Sequence, residues 1–141
     1  MNIQETLIED ERLINTKDPY DEGLEIMDKF SKLGDVIVKK NEFKTDGPRK
    51  ASMIEFMIEK LIDDYSKIVV ECRMEGLSDK RKGQLSVKLK IFFVSDVKEG
   101  KMMGGVFERY YLSGPMQNAR KKAETEAENM VKYVREHEIF A

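Results

Sequence analysis

Residues 68–94 read IVVECRMEGLSDKRKGQLSVKLKIFFV, and apolar and polar positions alternate along both halves of the stretch. Ile68, Val70, Cys72 and Met74 alternate with Val69, Glu71, Arg73 and Glu75. Beyond a loop from Gly76 to Gly83, Leu85, Val87, Leu89, Ile91 and Phe93 alternate with Ser86, Lys88, Lys90, Phe92 and Val94. Successive side chains of a strand point to opposite faces, so a period of two means two strands with one buried face. A sheet with its other face in water is of the antiparallel kind.

Working outward toward the C-terminus, a turn at Lys98-Glu99-Gly100 leads to a third strand, Met102 to Leu112. It carries Phe107 and Tyr111 on one face and Tyr110 on the other. Ser113-Gly114-Pro115 then opens a last helix. Met116, Ala119, Ala123, Ala127, Met130 and Val134 recur every three or four residues, which draws one straight apolar stripe. Its small alanines let the helix sit close to the Leu85–Phe93 face.

Toward the N-terminus, Ser52 followed by Glu55 has the spacing of a capping box. Ile54, Met57, Ile58, Leu61 and Tyr65 follow it, with Met53, Phe56 and Ile62 alongside. This wide stripe predicts a helix packed on more than one neighbour. Asp46-Gly47-Pro48 is a turn, and Asp35 to Thr45 reads as a strand. Asp18, Pro19 and Asp21 have the order of a helix start. Tyr20, Leu24, Met27, Phe30 and Leu33 continue it until Gly34, which takes the left-handed cap conformation cheaply. Ile3, Leu7 and Ile14 are spaced four and seven apart, which is helical spacing, so residues 1–17 read as a short helix or a docked N-terminal arm. The expectation is a single α+β domain over residues 1–141, with elements in the order α-β-α-β-β-β-α. Its antiparallel sheet has about four strands, a three-strand meander plus one earlier strand, packed by helices.

Composition limits the function classes. The chain has 141 residues, 40% hydrophobic and 37% charged, which is globular rather than disordered. Cys72 is the only cysteine, so no internal disulfide can form, and a reducing compartment fits. No apolar run approaches the ~18 residues of a membrane span, and the acidic start lacks the layout of a signal peptide. The expected location is the cytoplasm, without a membrane partner. His137 and Cys72 are too far apart in sequence for an ordinary zinc spacing, and Cys72 falls on a buried strand face. No phosphate loop, dinucleotide fingerprint or nucleophile elbow occurs. Gly104-Gly105 does not open a helix. No catalytic, cofactor or metal residue is expected, so the chain reads as a protein without an enzymatic activity.

One constellation carries a partner hypothesis. Net charge is −2, yet residues 67–123 hold 13 bases against 6 acids. Opposite the core, the sheet is expected to show Arg73, Lys88, Lys90 and Phe92, followed by Phe107, Arg109 and Tyr111. Rings that stack on bases, interleaved with cations that neutralise phosphates, make a platform for single-stranded nucleic acid. Lys80-Arg81-Lys82 and Arg120-Lys121-Lys122 add charge nearby. The same face also suits cover by the N-terminal segment, or a second copy of the chain. Over residues 51–138 the order α-β-β-β-α is similar to that of double-stranded-RNA-binding domains, and Arg120-Lys121-Lys122-Ala123 resembles the lysine-rich start of that family's last helix. The loop Gly76–Gly83 lacks that family's Gly-Pro-x-His feature and the strands are longer, so the resemblance does not amount to membership. The resulting expectation is a self-associating binding or interaction protein, a homodimer. The alternatives are RNA binding through the basic-aromatic face, or a small molecule held between the sheet and the last helix.

Overall fold

The computed structural model describes residues 2–96 and 114–136. The elements are β1 (Asn2–Asn15), α1 (Pro19–Phe30), β2 (Val36–Asp46), β3 (Arg49–Leu61), β4 (Ser66–Ser78), β5 (Gly83–Asp96) and α2 (Pro115–Glu136). The five strands form one sheet in the order β1-β5-β4-β3-β2, and every neighbouring pair is antiparallel. The architecture is α+β. Two parts of the expected order need correction, however, and the strand expected over Met102–Leu112 lies outside the described residues.

The first correction is β1. Residues 2–15 are a strand on β5, neither a helix nor a loose arm. Ile3 and Glu5 pair with Ser95 and Phe93, while Ile8 and Ile14 pair with Ile91 and Leu85, all on the core side. The interval from Ile3 to Ile8 is odd, and an unbroken strand would place them on opposite faces. A bulge between Thr6 and Ile8 inserts one extra residue and restores the face. That extra residue hides the period of two and leaves a false helical spacing.

The second correction is β3. Ser52 and Glu55 cap no helix, because residues 49–61 pair with β2 on one side and β4 on the other. Ile54, Phe56 and Ile58 are buried on the inner face, while Met53, Glu55 and Met57 are half-buried on the outer one. A strand apolar on both faces has no clear alternation, and its residues also satisfy a wide helical stripe. The α-β-β-β-α order over 51–138 falls with this helix. The Asp46-Gly47-Pro48 turn becomes a two-residue hairpin. Gly47 has φ +58° and Pro48 fixes φ near −65°, the sign pattern of a type II′ turn that suits strand twist.

The remaining elements follow the sequence pattern. Ile68, Val70, Cys72 and Met74 on β4 and Leu85, Val87, Leu89, Ile91 and Phe93 on β5 are all buried. Both helices cover this face. From α1 come Ile26 and Phe30, the latter 5.5 Å from the Phe56 ring. From α2 come Ala119, Ala123, Ala127, Met130 and Val134, the expected stripe, packed over β4, β5 and β1. Arg120 ties α2 to β1 through Glu5 at 2.5 Å, and Lys60 ties it to β3 through Glu126. Arg120 is therefore spent inside the fold.

Candidate anion-binding groove

The outer face of the sheet carries Arg73, Lys88, Lys90 and Phe92, in rows set by strand register. One row reads Glu11, Lys88, Arg73, Glu55, Lys40, and the next reads Glu9, Lys90, Glu71, Met57, Ile37. Arg73 lies 3.0 Å from Glu75, and Lys90 lies 3.7 Å from Glu9. Arg73 and Lys88 are thus brought side by side, but among alternating carboxylates that cancel their field. Phe92 faces the same way and is only 8% exposed, so it offers no open ring. Phe107, Arg109 and Tyr111 lie outside the described residues. On the inner face, Leu89, Ile91, Phe93, Ala123 and Met130 pack into one cluster that Met116 adjoins. Cys72 belongs to that cluster, and burial pushes its thiol up to about 12, which keeps it protonated and unreactive at neutral pH.

A different cluster of cations makes no ion pair among the described residues. The β2–β3 and β4–β5 hairpins end on the same side of the sheet. Between their tips and the β1–α1 link runs an open groove of about 1180 Å³. It is lined by six cations, Lys17, Lys44, Arg49, Lys50, Arg81 and Lys82, and by two carboxylates, Asp46 and Asp79. All six cations are exposed, and none pairs with a carboxylate among the described residues. Asn15, Thr16, Thr45, Ser78 and Gln84 add neutral hydrogen-bonding groups to the walls.

The backbone around this groove is held in place. Asp79 accepts hydrogen bonds from the amides of Arg81 at 2.7 Å and Lys82 at 2.9 Å, which closes the β4–β5 tip as an Asx turn. Those amides, with the charges of Lys82 and Arg49 nearby, hold the Asp79 carboxyl below the usual carboxylate range. The β1–α1 link is fastened by the Thr16 amide donating to the Gly83 carbonyl at 3.1 Å. A Cβ at Gly83 would lie 2.0 Å from the Thr16 carbonyl oxygen, so only glycine permits that approach.

A smaller cleft of about 100 Å³ adjoins the groove and shares Lys50, Ala51 and Ser78 with it. Its other walls include Asp18, Pro19, Tyr20, Asp21 and Phe43. The Tyr20 hydroxyl donates to Asn41 Oδ1 at 2.7 Å, and the Tyr20 and Phe43 ring centroids are 5.0 Å apart.

Sequence reading had counted Lys80-Arg81-Lys82 as nearby charge but had missed the groove. Arg49-Lys50 stood at the start of a supposed helix, so the two basic turns were not seen as neighbours. In an antiparallel meander alternate turns fall at the same end, so reading 49–61 as a strand would have placed the turns Asp46-Gly47-Pro48-Arg49-Lys50 and Asp79-Lys80-Arg81-Lys82-Gly83 together.

No family model matches the chain, and no curated protein matches it. Among solved structures it is similar to Ara h 8.0201, with 11% identity and a TM-score of 0.26, covering 84% of this chain and 96% of that one. It is also similar to the quaternary ammonium Rieske monooxygenase CntA, with 8% identity and a TM-score of 0.25, covering 86% of this chain and 38% of that one. A putative uncharacterized protein from Rhizobium leguminosarum has 11% identity and a TM-score of 0.21, covering 92% of this chain and 99% of that one. At TM-scores this low, these likenesses establish neither a shared fold nor a shared function.

Proposed function

We propose that this chain is a binding domain that receives a multiply charged anion in the groove at its hairpin end. One observation carries the reading: six exposed cations with no carboxylate partner among the described residues converge on one groove, in a chain of net charge −2. Arginine presents a planar fork that matches phosphate or carboxylate oxygens, and lysine supplies a mobile point charge. Charge-assisted hydrogen bonds contribute roughly 1.5–3 kcal/mol each. A few of them, less the ordering of long side chains, suffice for millimolar to micromolar affinity. Among the described residues the groove lining contains no histidine or cysteine, and Asp79 is engaged by backbone amides, which favours binding over catalysis.

The groove supports this reading better than the outer sheet face supports nucleic acid, because there the cations alternate with carboxylates and Phe92 is buried. Self-association draws its support within the described residues from the open edge of β2, where Ile37, Val38 and Phe43 are about half exposed. The bulge between Val38 and Lys40 and the lysines at 39, 40 and 44 oppose edge-to-edge pairing. Sedimentation over a concentration range tests it, and a monomer throughout removes it.

Titration calorimetry with inorganic triphosphate tests the anion reading. Binding at low salt that weakens as salt rises is the expected result. No heat or binding at 50 mM salt removes it.

A further inference from the structure

We infer that the anion carries an aromatic ring and that the groove's ligand is a nucleoside di- or triphosphate, its base stacked on Phe43. This rests on the anion-binding reading above and names the class of ligand. The smaller cleft and the groove share Lys50, Ala51 and Ser78, so a ligand whose phosphates lie among the cations reaches Tyr20 and Phe43 without leaving the protein surface.

Phe43 sits on the edge strand β2 and is 46% exposed. It is also held in place. Tyr20 packs against it with ring planes 43° apart, and Tyr20 is in turn fixed by Asn41. An apolar ring locked in one orientation and left half in water is a stacking surface for a flat heterocycle. At about 100 Å³ the cleft is too small to enclose a base with its sugar, so the base rests on the open side of Phe43.

The groups around that ring suit a nucleoside. Asp18 makes no side-chain cap hydrogen bond to α1, which leaves its carboxylate free to accept from a ribose hydroxyl or an exocyclic amine. Asp21 lines the same cleft. Acceptors gather at the aromatic end and cations at the phosphate end, which is the polarity of a nucleotide. An inorganic polyphosphate uses only the second half of this arrangement.

The test compares inorganic triphosphate, ATP and GTP by calorimetry on the full chain, as wild type and as Phe43→Ala, Phe43→Leu, Phe43→Tyr and Lys50→Glu. A nucleotide is expected to bind about tenfold more tightly than triphosphate, since base–aromatic stacking is worth roughly 1–3 kcal/mol per base. Phe43→Ala and Phe43→Leu reduce nucleotide affinity to that of triphosphate, and Phe43→Tyr keeps the preference. Leucine retains an apolar side chain of similar bulk on the edge strand, so it separates loss of the ring from loss of the fold. Lys50→Glu weakens both ligands. If triphosphate binds but neither nucleotide binds more tightly, or if the Phe43→Leu protein keeps the full preference, the inference is overturned while the anion site stands. If none of the three ligands binds, the anion reading and this inference fall together.

Discussion

Among the described residues, the clefts at the two ends of the sheet carry opposite charge. At the hairpin end, six cations and two carboxylates line the groove. At the other end, a cleft of about 380 Å³ is lined by Asp63, Asp64 and Asp96, with Lys67 as its one cation among the described residues. One of these acids, Asp63, has a carboxylate that works inside the fold. Asp63 accepts from the Tyr65 amide at 2.8 Å, and the Asp63 and Asp96 amides donate to the Ser66 and Tyr65 carbonyls, closing the β3–β4 turn and fastening β5 to it. The cations of the hairpin end form no ion pair among the described residues, and Lys82 and Arg49 lend only their field to Asp79. Charge that holds a turn together is explained by folding, whereas charge that costs self-repulsion and closes nothing calls for an external partner.

Both ends stand on one core, and a cavity in that core should loosen them alike. Phe56 is fully buried at the middle of β3, against Phe30. Phe56→Ala is expected to cost about 3–5 kcal/mol of stability, read as a fall in the urea midpoint. Reporter groups at either end should follow the same transition. Two separate transitions would show that the ends belong to different cooperative units and would break the comparison at its base.

Charge reversal separates the ends next. Lys50→Glu combined with Arg81→Glu should weaken triphosphate binding by about 100-fold or more, as two charge-assisted contacts turn repulsive. Asp64→Lys should change it by less than about threefold. Along β3 the two ends are about 35 Å apart at ~3.3 Å per residue, several times the ~8 Å screening length at physiological salt. Equal effects from the two reversals would mean that the ligand responds to overall charge and not to the groove.

How much of this was legible beforehand depended on whether one face or two were apolar. On β4 and β5 the inner face is buried throughout and only Val69 and Phe92 are buried on the outer one, so the alternation from Ile68 to Phe93 stayed legible. The helical stripe from Ala119 to Val134 was equally plain, because α2 meets the sheet along one line. β3 failed because Met53 and Met57 line its outer face while Ile54, Phe56 and Ile58 line the inner one. β1 failed because the bulge at Leu7 shifted its phase by one residue. The groove was hidden by that first failure: its cations, Lys17, Lys44, Arg49-Lys50 and Arg81-Lys82, span 65 residues of sequence and meet only when 49–61 is a strand. Lys88 and Arg73 lie on the outer face, but their carboxylate neighbours are set by register, which local pattern does not reveal.

The smallest expected effect concerns Asp79, the carboxylate at the basic end that does have internal work. Like Asp63 at the far end, it accepts from a backbone amide two residues on. The Arg81 and Lys82 amides hold its carboxyl below the usual range, helped by the charges of Lys82 and Arg49. A group whose folded pKa is depressed adds stability that is present above its unfolded value, near 3.9. That contribution is lost as pH falls through the lower folded value. The hairpin tip should therefore be closed across neutral pH and open only in acid. The Arg81 and Lys82 amide resonances should titrate with a midpoint below 3.9, and Asp79→Ala should abolish that titration and speed hydrogen exchange at both amides. Because Asp79 is fully exposed, the melting temperature should barely move, and triphosphate affinity should change by only a small factor. A titration midpoint above 3.9 would mean that the amides do not hold the carboxylate. The cations of the tip would then be set by charge alone, without the turn that orders them toward a ligand.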